Sequence, residues 1–183
     1  MQREKIIDKQ FLLIINGPSC GGKSSVSNVL FEKYDGIFNA KGDTIKWLIS
    51  GYTPLTHRSA VHDMIVDIIK IAIPHKFSIL KEGASYEPEK YIEIAKANNL
   101  LLFIVNIEAP WEVLTKRFEE RIEAKKQGVK KIANVDPVRF KELYEEYNKT
   151  KMDTPLVFDS SKQSPEDIAE QIVKYMREST MSA

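Results

Sequence analysis

The sequence predicts a three-layer α/β fold, a parallel sheet with helices on both faces, from two observations. Short apolar runs alternate with helical patterns along the 183 residues, and strands that alternate with helices build parallel sheets covered on both sides. The residues with chemistry to offer stand just after the apolar runs, where an open sheet of this kind forms its ligand crevice.

Residues 11–16, FLLIIN, give the first strand, an apolar and β-rich run. Behind it, 23–34 reads as a helix through Val26, Val29, Leu30 and Lys33. GIFNA at 36–40 is the second strand, followed by a helix over 43–50. The segment 56–73 carries Val61, Ile65, Ile68, Ile69 and Ala72 at helical spacing and leads to FSIL, a third strand at 77–80. A helix over 87–98 precedes LLLFIVNI at 100–107, the fourth strand. Helices over 110–127 and 136–151 follow, then LVF at 156–158 and a last helix over 165–177 on Ile168, Ile172, Val173 and Met176. Between two good helices, 123–136 is basic, polar and interrupted by Gly128, and reads as an exposed mobile loop, a candidate lid. With no repeat and no low-complexity linker, residues 1–183 read as one domain carrying that lid.

The turn after the first strand is the most specific feature. Gly17, Gly22, Lys23 and Ser24 fit G-x-x-x-x-G-K-[ST], the phosphate-binding pattern called Walker A, and they lie between a predicted strand and helix as that pattern requires. Glycines at 17 and 22 let the backbone bring successive N–H groups against phosphate oxygens. The helix start adds unpaired N–H groups and the positive end of its dipole. Lys23 then reaches the β and γ phosphates as a point charge, and the Ser24 hydroxyl ligates Mg²⁺. The stretch Gly17, Pro18, Ser19, Cys20, Gly21, Gly22, Lys23, Ser24 and Ser25 is the expected nucleotide cradle.

Composition narrows the partners. Apolar residues make up 43% and charged ones 29%, ordinary for a soluble globular protein. Against 27 basic residues stand 26 acidic ones, net charge +1, so no global field advertises nucleic acid or an anionic membrane, and only a local basic groove is left open. Cys20 is the only cysteine, which rules out an internal disulfide or a cysteine-rich zinc site and agrees with a reducing compartment. It is read as a small side chain the loop tolerates rather than a redox switch. MQREKIIDKQ lacks the apolar core of a signal peptide, and LLLFIV at 100–105 is too short to span a bilayer, so a cytoplasmic protein is expected.

On these residues the chain resembles the small P-loop kinases. That group holds nucleoside-monophosphate kinases, shikimate and gluconate kinases, chloramphenicol phosphotransferase, zeta-toxin-like kinases and polynucleotide kinase. Weaker parts of the resemblance are NIEAPWEVLTKRFEER at 106–121, similar to the fourth strand and the helix that enters the lid, and LVFDSSKQSPEDIAEQI at 156–172, similar to the closing strand and helix. The resemblance implies a five-stranded sheet in the order 2-3-1-4-5, ATP as donor, Mg²⁺ and a closing lid.

The resemblance also implies roles. Arg117 and Arg121, spaced i, i+4 on one side of a helix, stand where the group has an arginine pair that clamps nucleotide phosphates. The plainer alternative pairs them with Glu119, Glu120 or Glu123. Arg139 follows as a third candidate cation. Asp43 stands where an acidic residue meets the acceptor hydroxyl, or else serves as a helix N-cap. Lys46 falls where monophosphate kinases have an arginine for the acceptor phosphate. Glu82 takes the place of the acidic residue that reaches Mg²⁺ from the third strand, or sits in a turn. Tyr86 replaces the phosphate-gripping arginine of the monophosphate kinases, which argues against an AMP-like acceptor. Arg58, in the stretch where the group builds acceptor specificity, is a candidate for an anionic acceptor, whereas His57 and His62 read as hydrogen-bonded histidines.

The expected function is transfer of the γ-phosphate of ATP to a hydroxyl or phosphate of a small-molecule acceptor. A nucleotide-binding regulatory switch and a polynucleotide 5′-hydroxyl kinase are the alternatives. A GTPase is disfavoured because NKTKMD does not form N-K-x-D.

Overall fold

The central strand carries the clearest sign of a sheet buried on both faces. Successive side chains of a strand point to opposite faces, and in FLLIIN residues Phe11, Leu13 and Ile15 join one core while Leu12 and Ile14 join the other. This computed structural model describes residues 3–83, 87–128 and 136–181, with backbone alone at 54 and 55. The elements run β1 (Phe11–Asn16), α1 (Lys23–Lys33), β2 (Ile37–Ala40), α2 (Gly42–Lys46), α3 (Pro54–Ala72), β3 (Ser78–Glu82), α4 (Pro88–Ala97), β4 (Leu101–Glu108), α5 (Trp111–Lys126), α6 (Pro137–Thr150), β5 (Val157–Asp159) and α7 (Pro165–Met181). All strand pairs are parallel, in the order β2-β3-β1-β4-β5. This is the predicted three-layer α/β fold with the predicted strand order.

One core lies between the sheet, α1 and α7, where Val26, Leu30, Ile168, Ile172 and Met176 pack on β1 and β4. The other lies under α3 and α4 and holds Val61, Ile65, Ile69, Tyr91 and Ile94. A third cluster joins Cys20 and Ala109 to Leu114 and Phe118 of α5 and Phe140 of α6. Helix starts follow their local chemistry. The Asp136 carboxylate accepts from the Arg139 amide at 2.8 Å to open α6, and Ser164 and Asp167 cap each other reciprocally ahead of α7.

Besides shifts of one to four residues at other ends, such as α7 running on to Met181 where 177 was expected, three departures from the sequence reading bear on the site. The third strand, expected over 77–80, runs Ser78–Glu82, because Lys81 and Glu82 keep their ladder partners Ile14 and Ile15 even though their side chains break the apolar run. The helix expected over 43–50 ends at Lys46, where the amides of Leu48 and Ile49 turn to carbonyls three residues back and the helix tightens out. In the segment 123–136, expected as loop, residues 123–126 continue α5 and Asp136 caps α6, while 129–135 lie outside the described residues. Among the described residues no helix is long and apolar enough to cross a membrane.

Candidate nucleotide and acceptor site

The loop from Gly17 to Gly22 lies directly on the end of β4. A Cβ at Gly17, whose φ is 151°, would stand 2.1 Å from the Ile107 carbonyl oxygen, so only glycine lets the loop sit there. Gly22, at φ 95°, heads α1 and approaches Ser160. Within the loop the Gly21 amide bonds Pro18 O at 3.1 Å. The amides of Cys20, Gly22, Lys23 and Ser24 donate to nothing among the described residues, and those of Gly22, Lys23 and Ser24 stand at the start of α1. Clustered open N–H groups at a helix N-terminus form an anion site.

Lys23, partly covered by this loop, donates to Gly17 O at 2.9 Å and Pro18 O at 2.7 Å. Burial pushes its pKa down to about 8, against the upward pull of Glu82. Ser24 Oγ donates to Glu82 Oε2 at 2.7 Å, so the two oxygens expected to hold magnesium are already together. Lys41 Nζ lies 3.3 Å from the other carboxylate oxygen of Glu82. A hydroxyl and a carboxylate are the hard oxygen donors that suit Mg²⁺, which takes one or two protein carboxylates and completes its shell with water and phosphate. The donor set fits that ion.

Two recesses share Cys20, Gly22, Ser25 and Arg121 and so form one trough along the loop. One end reaches Arg117, Ser160, Gln163 and Pro165 between α5 and the start of α7. Arg117 is held there by Nη1 on Ser160 Oγ at 2.9 Å and on Cys20 O at 3.3 Å, and by Nη2 on Ser160 O at 2.8 Å. Arg121 faces both recesses. Neither arginine is ion-paired with Glu119, Glu120 or Glu123 among the described residues, and Glu123 faces Lys126. These guanidiniums sit beside the amide cradle instead.

The other end of the trough is lined by Lys41, Gly42, Asp43, Glu82, Gly83, Leu143 and Tyr147. Asp43 is not the cap of α2. That position belongs to Lys41, and Asp43 lies in the first turn with its side chain largely exposed and bonded to Lys46 Nζ at 2.6 Å. Lys46 and Arg58 stand outside this lining, and Arg58 Nη2 meets Glu146 at 3.5 Å. Arg139 pairs with Glu142 and Glu146 on its own helix. Tyr86 lies outside the described residues. His57 accepts from the Thr53 amide at 3.1 Å. His62 is buried against Tyr91 with Nδ1 3.1 Å from Glu87, and burial lowers its pKa.

Sequence reasoning missed Lys41, Leu143 and Tyr147 as members of the trough, whereas Ser160 lies in the closing segment 156–172 that the resemblance had singled out. Lys41 had a legible signal, since it directly precedes Gly42 and Asp43 behind a strand. Leu143 and Tyr147 are an i, i+4 pair on α6, and nothing in sequence spacing says that α6 crosses above the loop. Tyr147 donates to Glu108 Oε1 at 2.8 Å, and burial holds its pKa well above the usual tyrosine range.

No family model matches the chain, and no curated protein matches it by sequence. Solved structures of similar fold do. They include a candidate kinase from Chloroflexus aurantiacus, 17% identical over 93% of this chain and 98% of that one, with TM-score 0.68. The tunicamycin resistance protein of Deinococcus radiodurans is 18% identical over 92% and 96%, TM-score 0.60. Shikimate kinase of Aquifex aeolicus is 14% identical over 94% and 100%, TM-score 0.59. The fold is thus that of the small P-loop kinases, as the sequence resemblance implies.

Proposed function

We propose that the protein is an ATP- and Mg²⁺-dependent phosphotransferase that moves the γ-phosphoryl group to a hydroxyl of a small, uncharged acceptor. The observation that carries this reading is the meeting of three chemistries in one trough: open amides with Lys23, the Ser24–Glu82 oxygen pair, and Asp43 in the same lining. Phosphoryl transfer asks a protein mainly for positioning and charge stabilisation. The amides and Lys23 hold the phosphates, and Arg121 supports charge spreading over the transferred group. Arg117, fixed at Cys20 and Ser160, frames the recess beside Gln163 and Pro165 for the base. Ser24 and Glu82 would hold magnesium, which when bound neutralises charge between the β and γ phosphates. Asp43 orients the acceptor hydroxyl in line and takes its proton at a carboxylate oxygen.

The acceptor end favours a neutral ligand. Lys41 in the lining, and Lys46 and Arg58 outside it, each already face a carboxylate: Lys41 faces Glu82, Lys46 faces Asp43 and Arg58 faces Glu146. A phosphate on the acceptor would have to break one of those pairs and approach the exposed Asp43. The test is ADP release from MgATP with nucleosides, sugars, shikimate and chloramphenicol set against nucleoside monophosphates and sugar phosphates. One hydroxyl compound should raise the rate well above the water-only level. Asp43→Asn should lower that kcat about 100-fold with ATP affinity kept. Acceleration by phosphate acceptors alone, or full activity in Asp43→Asn, would contradict the reading.

A further inference from the structure

β3 ends in two charged residues that point to opposite faces. Leu80 and Glu82 look toward α1 and the phosphate loop, and Lys81 looks with Ile79 into the core under α3 and α4. Lys81 is only 4% exposed. Its ammonium donates to Glu82 O and to Gly83 O, the latter at 2.6 Å, and lies 5.4 Å from the centre of the Tyr91 ring. β2 ends opposite it, at Ala40, so beyond this point β3 loses its ladder on that side. On the other side the Gly83 amide still bonds Ile15 O at 2.8 Å. A buried ammonium is costly unless its donors are met, and an apolar side chain would fill this core at less cost. The charge therefore needs a reason beyond packing.

We infer that Lys81 is a positioning residue for the metal site: by tying down the Glu82 and Gly83 carbonyls from behind, it fixes the peptide that aims the Glu82 carboxylate at Ser24. The inference rests on the reading of Ser24 and Glu82 as the magnesium pair. Groups that orient a metal ligand without touching the metal typically change metal affinity 10- to 100-fold when removed.

The experiment measures binding of a fluorescent ATP analogue in EDTA and across a Mg²⁺ titration, for wild type, Lys81→Met, Glu82→Gln and the double variant. Lys81→Met should bind the analogue in EDTA within about twofold of wild type and need about tenfold more Mg²⁺ for the magnesium-dependent gain. Glu82→Gln should likewise raise the Mg²⁺ requirement about tenfold or more, and the double variant should need no more Mg²⁺ than Glu82→Gln. If Glu82→Gln shifts the Mg²⁺ requirement and Lys81→Met does not, or if the two shifts multiply, the role of Lys81 is overturned while the metal pair stands. If Glu82→Gln shifts nothing, the metal pair itself falls and Lys81 with it. Should Lys81→Met not fold, the buried-lysine ¹⁵Nζ resonance that persists in Lys23→Ala is followed in the wild type. Mg²⁺ added to the nucleotide complex must move it, and an unmoved signal overturns the inference.

Discussion

Lys23 lies along its own loop, with its ammonium on the Gly17 and Pro18 carbonyls. Phosphate oxygens must replace those carbonyls, and the sign of the resulting pH dependence follows. Burial puts the free-state pKa at about 8, and a bound polyanion favours the charged form and raises it. Below pH 8 the lysine already carries its proton and affinity is level. Above it, binding requires proton uptake, and affinity falls by up to about tenfold per pH unit until the bound-state pKa is passed. Nucleotide dissociation constants from pH 6.5 to about 9.5 measure this, with Lys23→Gln expected to remove the slope. Lys81 is also pushed down to about 8 by burial, so a slope that persists in Lys23→Gln would move the effect away from the loop.

At the scale of elements, what aims Arg117 and Arg121 is the seat of α5. Leu114 and Phe118 bury one side of that helix against Cys20, Ala109 and Phe140. Phe140 of α6 stacks on Phe118 at 4.2 Å between ring centres and on Trp111 at 5.4 Å. The phosphate loop, the arginine helix and α6 thus share one small aromatic core. Phe140→Ala should cost about 3 kcal/mol of stability, the usual toll of a large-to-small change in a packed core. It should also weaken ATP binding about tenfold as the Arg117 contacts to Cys20 and Ser160 loosen, an energy of the order of one charged hydrogen bond. Urea unfolding and ATP titration check the pair of effects. A stability loss with unchanged ATP affinity would show that α5 holds its arginines without α6.

At the scale of the whole molecule, the layers were legible because each strand is an apolar run and each helix repeats its apolar residues at its own period. FLLIIN coincides with β1 to the residue. The phosphate loop was legible because its chemistry is local: glycines, lysine and hydroxyl are neighbours in sequence and stay neighbours in space. What failed were places where charge interrupts an apolar run or distant elements meet. β3 ran two residues beyond its apolar stretch, and those two, Lys81 and Glu82, are the ones turned to the site and its support. Leu143 and Tyr147 reach the trough from a helix more than a hundred residues from Gly17, a meeting that only the sheet order arranges.

The most direct measurement of the central claim follows γ-labelled ATP with Mg²⁺ and a pool of small hydroxyl metabolites, in the wild type and in Lys23→Ala. The account predicts label in a stable organic phosphate ester with the wild type, and about 100-fold less with Lys23→Ala. Label released only as inorganic phosphate, or an ester formed equally well by Lys23→Ala, would contradict it.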